Sequence, residues 1–357
     1  LLTAGSLSDR LGRKGMLLAG LAVFGLSSLA GAFTTSPSAL IAARAVMGLG
    51  AAMIFPATLS TIANVFTERR ERALSIGLWG ASAGVAVAVG PIVGGVLLEH
   101  FSWTSIFVFM APVAAVSALL VALSVPGSKD PAVPRIDLPG FALSTAAMAA
   151  VVFTVIEAPE VGWSSGRSLL GFAAAGVLSA LFVGWERRVP TPMLDVGLFR
   201  NMRFTAASGS VTVAFFTLFG FIFLMTQYFQ FIQGFSPLST GVHLLPVAMS
   251  VAVSSVIGTR LAVRAGTKVV VTVGLLAIAA FYVWVASVIG AHTGYGVIAA
   301  QMVLYGVGMG FTSAPATESI MGAVSIHQAG VGSAVNDSTR LLGGTLGVAV
   351  IGSVYAS

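Results

Sequence analysis

Cysteine is missing from all 357 residues, and charge is scarce: 12 acidic and 18 basic side chains amount to 8% of the chain. The first absence excludes disulfides and thiolate metal sites. The second excludes the solvated surface of an ordinary soluble domain. Four histidines and the scattered acids form no cluster with metal-ligand spacing, and neither a P-loop nor a nucleophile elbow is present. "GVGMG" at 306–310 imitates a nucleotide fingerprint, but it lies inside an apolar run with no strand before it. An enzyme is therefore the least favoured class, and neither cofactor nor metal is expected. Segments of about ten residues alternating apolar and polar, the mark of a membrane barrel, are also lacking.

What fills the chain is apolar: 57% hydrophobic residues, 42 glycines and a mean hydropathy of +0.98. Runs long enough to cross a hydrocarbon core of about 30 Å recur near 15–33, 39–63, 73–98, 104–125, 138–157, 168–186, 204–232, 239–258, 269–289, 295–320 and 337–355. They predict an all-α polytopic membrane protein with eleven visible spans.

The loops between these runs alternate in basic content. One side carries Arg10, Arg13, Lys14, Arg69, Arg70, Arg72, Lys129, Arg135, Arg187, Arg188, Arg200, Arg203, Arg260, Arg264, Lys268 and Arg340; the other carries Arg167, while Arg44 lies within a span. By the positive-inside rule the basic face is cytoplasmic, in the plasma membrane. The net charge of +6 is then a matter of topology, with the lipid bilayer and not nucleic acid as partner.

Two pairs of segments suggest an internal duplication. "SDRLGRKG" at 8–15 is echoed by "AVRAGTKV" at 262–269, and "GLGAAMIFPAT" at 48–58 by "GVGMGFTSAPAT" at 306–317. Such repeats are how many transporters are built. Eight spans separate the two charged copies, where a simple pair of six-helix bundles has six, so two extra helices sit centrally. The chain opens on Leu1 inside a charged stretch, and it is expected to be a fragment of a fourteen-span protein lacking two helices before and one after.

Gly5-x-Leu7-x-Asp9-Arg10-x-Gly12-Arg13-Lys14 resembles the loop signature between the second and third helices of the major facilitator superfamily. Arg44-x-x-x-Gly48-x-Gly50 is similar to that superfamily's fourth-helix motif, with Met47 where glutamine often stands. "GASAGVAVAVGPIVGG" at 80–95 resembles its fifth-helix antiporter motif, and the whole arrangement, with "QYFQFIQGFSPLSTGVHLLPVAM" at 227–249, its fourteen-helix drug/proton antiporter branch. The resemblance implies two six-helix bundles plus two central helices. The expected divisions are 1–125, a truncated N-terminal bundle; 126–203, the central pair with linkers; and 204–357, a truncated C-terminal bundle.

It also implies a cytoplasmic gating latch at Gly5, Asp9, Arg10, Gly12, Arg13 and Lys14, closed in the outward-open state. Topology alone would need neither the aspartate nor the glycine register. Arg44, with Gly48 and Gly50, is expected to face the cavity and tune a proton-carrying carboxylate, and snorkelling to the outer headgroups is its structural alternative. Gly84, Gly90, Pro91, Gly94 and Gly95 would make a tight, leak-resistant interface. Phe223, Gln227, Tyr228, Gln230 and Phe231 line either a cavity for lipophilic drugs or an aromatic belt.

No acid is read at mid-membrane, so the main proton site is expected in the absent first helix. Glu157 and Glu318 are the visible candidates, each with an ordinary interfacial reading, and His243 is read as a hydrogen-bonded bystander. Pro56 and Pro315 bend helices. The function expected is proton-coupled efflux of small hydrophobic drugs or antibiotics by alternating access, by a monomer whose accessory efflux partners are unidentified. A facilitator for a metabolite, or a channel, is the alternative.

Overall fold

The computed structural model describes residues 4, 8, 12–127, 137–190, 192, 194–288, 290, 293–325 and 328–356. Among them the regular structure is entirely helical, with no strand. Eleven long helices follow one another: α1 (Arg13–Ala32), α2 (Pro37–Val65), α3 (Arg69–His100), α4 (Thr104–Ser124), α5 (Leu138–Val161), α6 (Gly166–Glu186), α7 (Met202–Ile232), α8 (Pro237–Ala265), α9 (Thr267–Val288), α10 (Tyr295–Met321) and α11 (Ala329–Ala356). The first ten are long and apolar enough to cross a membrane. Large apolar side chains such as Phe33, Leu123 and Leu170 face outward, more than 70% exposed, as a hydrocarbon surround requires.

Local chemistry sets many of the helix ends. Ser36 caps α2 by accepting from Ala39 N at 3.3 Å, with Pro37 supplying a first residue that needs no hydrogen bond. Asp137, Ser165, Asn201 and Ser236 cap α5 to α8 in the same way. α7 closes on a π turn, Tyr228–Ile232, and α8 is jointed at Leu244 into Pro237–His243 and Leu245–Ala265. A single residue, Gly266, separates α8 from α9.

Two boundaries differ from the sequence reading. α8 runs to Ala265 rather than stopping near 258, and α11 starts at Ala329 rather than near 337. Polar side chains end the apolar run in both cases but not the helix: the backbone bonds continue through Ser333, Asn336 and Asp337, buried inside the bundle, and through Arg260 and Arg264, exposed at the end of α8.

α1 packs on α2 and α4; α10 packs on α8 and α9; α7 packs on α11 and α10; α5 and α6 form a hairpin touching α11 through α5. Contacts of α3 with α8 and α10, and of α2 with α11, join the N-terminal helices to the C-terminal ones. The largest apolar core lies among α7 to α10, around Tyr305, whose ring stacks on Phe221 at 4.8 Å and meets Phe281 at 4.9 Å.

The sequence echoes have structural counterparts. Gly12 (φ 101°, ψ 128°) and Gly266 (φ 90°, ψ 142°) hold the same position in the two copies and nearly the same backbone conformation. α1 crosses α2 so closely that a Cβ on Gly50 would lie 2.9 Å from Gly20 O, and α9 crosses α10 so that a Cβ on Gly308 would lie 2.7 Å from Gly274 O. Small residues let helix backbones approach where a membrane gives no hydrophobic drive between helices. The same device thus sits at matching places in the two repeats.

Candidate functional site

On α11, Ser333, Asn336, Asp337 and Arg340 are spaced to share one face, and that face is buried: relative exposure is 0% at Ser333 and Asn336 and 4% at Asp337. It meets Ser313 and Thr317, one turn apart on α10. Thr317 Oγ1 donates to Asn336 Oδ1 at 2.9 Å, and Asn336 Nδ2 donates to Asp337 Oδ1 at 3.3 Å. Arg340 Nη2 donates to Thr317 Oγ1 at 3.1 Å and reaches Ser313 Oγ at 3.4 Å. Its guanidinium carbon also lies 4.4 Å from the ring centre of Trp79 on α3 and 4.7 Å from that of Phe215 on α7.

Asp337 Oδ2 and Arg340 Nε are buried without a hydrogen-bond partner, and no described carboxylate is within ion-pair distance of Arg340. Two ionisable side chains on one helix, each with a buried polar atom left unsatisfied, are costly unless they have a task. The sequence reading puts Arg340 in a basic loop and Asp337 near a helix end; the structure corrects both, placing them two to three turns inside α11. The available signal was the spacing Ser333, Asn336, Asp337, Arg340, a polar stripe at helical period.

Glu318, one residue beyond Thr317, is 6% exposed and therefore not an ordinary interfacial carboxylate. Arg69 Nε and Arg72 Nη2, from the first turn of α3, stand 3.9 and 3.8 Å from its Oε1. With Asn201 and Arg203 they border a polar cavity of about 260 Å³ at the basic end of the bundle.

Of the expected gating residues, Gly5, Asp9 and Arg10 lie outside the described residues. Gly12 is the N-cap of α1, Arg13 is buried at 4% exposure, and Lys14 Nζ donates to Ala122 O at 2.7 Å, in the last turn of α4. A cation there meets the negative end of the helix dipole. Arg44 and Gly48 share an uncovered face of α2, whereas Gly50 is seated on α1.

The antiporter-type stretch divides by face. Gly84 and Gly95 lie against α8, where added Cβ atoms would come within 2.8 Å of Ala252 N and 2.7 Å of Leu238 Cα. Pro91 packs on Gly241 of the same helix. Gly90 and Gly94 border open space.

The five aromatic and amide residues near the end of α7 are not gathered round one cavity. Tyr228 is in the core and donates to Gly290 O at 3.0 Å, Phe223 meets the Tyr355 ring edge-on, and Phe231 is 74% exposed. Gln227 and Gln230 are partly buried on intervening faces. Glu157 forms an ion pair with Arg167 at the end of the bundle away from most of the basic residues. His243 bonds through Nδ1 to Ser239 O at 2.7 Å among the rings of Phe235 and Tyr295. Pro56 and Pro315 both lie inside helices.

A bundle of membrane-length helices with a polar, charged seam buried between its N-terminal and C-terminal parts defines a multi-pass membrane transporter. The chain belongs to the Major Facilitator Superfamily, which it matches over residues 1–348. It is 33% identical to multidrug resistance protein Stp of Mycobacterium tuberculosis over all of this chain and 66% of that protein. It is 35% identical to multidrug efflux pump LfrA of Mycolicibacterium smegmatis, over 100% and 70% of the two chains. A methylenomycin A resistance protein of Streptomyces coelicolor is 34% identical over 100% and 75%. The chain thus spans about two thirds of the length of the first of these relatives. The human organic anion transporter MFSD10 has the same fold, with a TM-score of 0.69 at 19% identity over 99% of this chain and 74% of that one.

Proposed function

We propose that the chain is the transport core of a proton-coupled exporter of hydrophobic drugs or antibiotics, of the fourteen-helix branch. It works by alternating access across the plasma membrane, with its basic loops in the cytoplasm and its divisions near 125 and 203. The export reading is supported by the resistance and efflux proteins that it resembles over its whole length. The proton coupling rests on one observation: Asp337 is a carboxylate buried within the bundle on α11, with a cation three residues away and an unsatisfied oxygen. A group so placed exchanges a proton more readily than it holds a permanent charge.

In this cycle Asp337 takes a proton from the outer side and yields it to the cytoplasm as substrate moves the other way. The Gly5–Lys14 segment and the Glu318 contacts with Arg69 and Arg72 close the inner end, and the α3–α8 seam prevents leak. The transporting unit is one chain. The test is dye efflux in proteoliposomes under an imposed pH gradient. Asp337→Asn is expected to abolish efflux driven by the gradient while dye still binds. Undiminished driven efflux in Asp337→Asn would show that the coupling carboxylate lies elsewhere.

A further inference from the structure

Arg340 has two possible sets of partners, and it occupies only one. It lies against Trp79 of α3 and Phe215 of α7, with Thr317 and Ser313 of α10 taking its Nη2 hydrogen bonds. The other partner is Asp337, three residues earlier on the same helix and so its neighbour on that face. The two atoms left unsatisfied are complementary: Asp337 Oδ2 can accept and Arg340 Nε can donate. No ion pair joins them among the described residues.

Charges facing this spot from packed helices are few. α10 brings Glu318, which has Arg69 and Arg72 of α3 beside it. α7 brings the Phe215 ring, and its described cation, Arg203, is in the first turn. Arg44 of α2 and Glu157 of α5 lie toward the opposite end of the bundle, Glu157 paired with Arg167. The choice made by Arg340 therefore depends chiefly on Asp337.

We propose that Arg340 is a positioning residue that converts the protonation state of Asp337 into a contact between α11 and α3. The proposal rests on the proton-coupled reading given above. When Asp337 carries a proton it is neutral, and the guanidinium keeps its place on the Trp79 ring, tying the N-terminal helices to the C-terminal ones. When the proton leaves to the aqueous side then open, the carboxylate draws the guanidinium one turn along α11. The Trp79 contact is given up, and α3 is free to move against α10 and α11. The arrangement in the structure is that of the protonated carboxylate. Arginine suits the task because its planar guanidinium lies flat on a ring while its edge bonds hydroxyls, whereas a lysine ammonium is a compact point charge with no plane to stack.

The test uses the reconstituted protein with a lipophilic fluorescent dye and two transport readouts: efflux driven by a pH gradient, and dye exchange with no gradient. Trp79→Leu and Arg340→Lys are expected to cut driven efflux roughly tenfold or more, the scale of losing a desolvated cation–π contact, while exchange persists. Trp79→Phe, which keeps an aromatic face, should restore most of the driven component. A protein whose other four tryptophans are phenylalanine reports the contact directly. Its Trp79 emission should shift with pH, and the shift should vanish in Asp337→Asn.

If Trp79→Leu fails to fold, that emission experiment still decides the matter. A pH response surviving in Asp337→Asn overturns the proposal, as does full driven efflux in Trp79→Leu. Were Asp337→Asn inert to the gradient while Trp79→Leu ran normally, the relay would be wrong and the coupling carboxylate right. Driven efflux persisting in Asp337→Asn removes both.

Discussion

Gly12 and Gly266 sit where the chain turns into α1 and α9, at φ values near +100° and +90°. A side chain there is strained, by about 1–3 kcal/mol for such backbone conformations. Gly12→Ala and Gly266→Ala should each lower the thermal unfolding midpoint of the purified protein, whereas Gly176→Ala, in a helix with open space at its Cβ, should leave it unchanged or raised. Glu318 makes a different prediction. Replacing it with Gln leaves Arg69 and Arg72, neighbours in the first turn of α3, without the carboxylate opposite them, so the basic end should open more readily. Cysteine introduced at Ser319, on the cavity wall, should then react faster with a water-soluble thiol reagent. An unchanged rate would mean that these loose ion pairs do not hold the end closed. Residues of this kind were only partly legible in the sequence. The rule that charge marks a loop or a helix end puts Arg340 in a loop and Asp337 at a helix end, and it fails where a bundle interior supplies hydroxyls, an amide and two aromatic rings in place of water.

The helices themselves were legible, because apolar length is dictated by the thickness of the bilayer and hardly depends on neighbours. Which face of a helix does the packing was not. Five positions in α3 read alike as a small-residue stretch, yet Gly84, Pro91 and Gly95 meet α8 while Gly90 and Gly94 do not. Gly84→Val should disrupt the seam between α3 and α8 and lower the yield of folded protein, through backbone clashes at Ala252 and Ala248. Gly90→Val should be well tolerated by the fold. Equal losses of folded protein from the two substitutions, measured by fluorescence-detected size exclusion, would contradict this assignment of faces. The aromatic and amide residues of α7 teach the same lesson: the π turn rotates Phe231 outward from the face that carries Tyr228 into the core.

For the molecule as a whole, the alternation of basic loops requires Arg70 and Arg264 to lie on one side of the membrane and Arg167 on the other. These 357 residues contain no cysteine, so a cysteine placed singly at each site has no competitor among them. Labelling from outside intact cells should modify position 167 and spare positions 70 and 264. The duplication was legible as short echoes and gained substance from geometry, in the paired glycine crossings of α1 with α2 and α9 with α10.

The joint at Gly266 reaches beyond its own backbone angles. One residue between two antiparallel helices leaves no slack, so α8 cannot slide along α3 without carrying α9, and α10 lies against both. The smallest body able to rock is then a three-helix block, and a longer, looser linker inserted at Gly266 should let substrate exchange continue while its timing to the proton is lost.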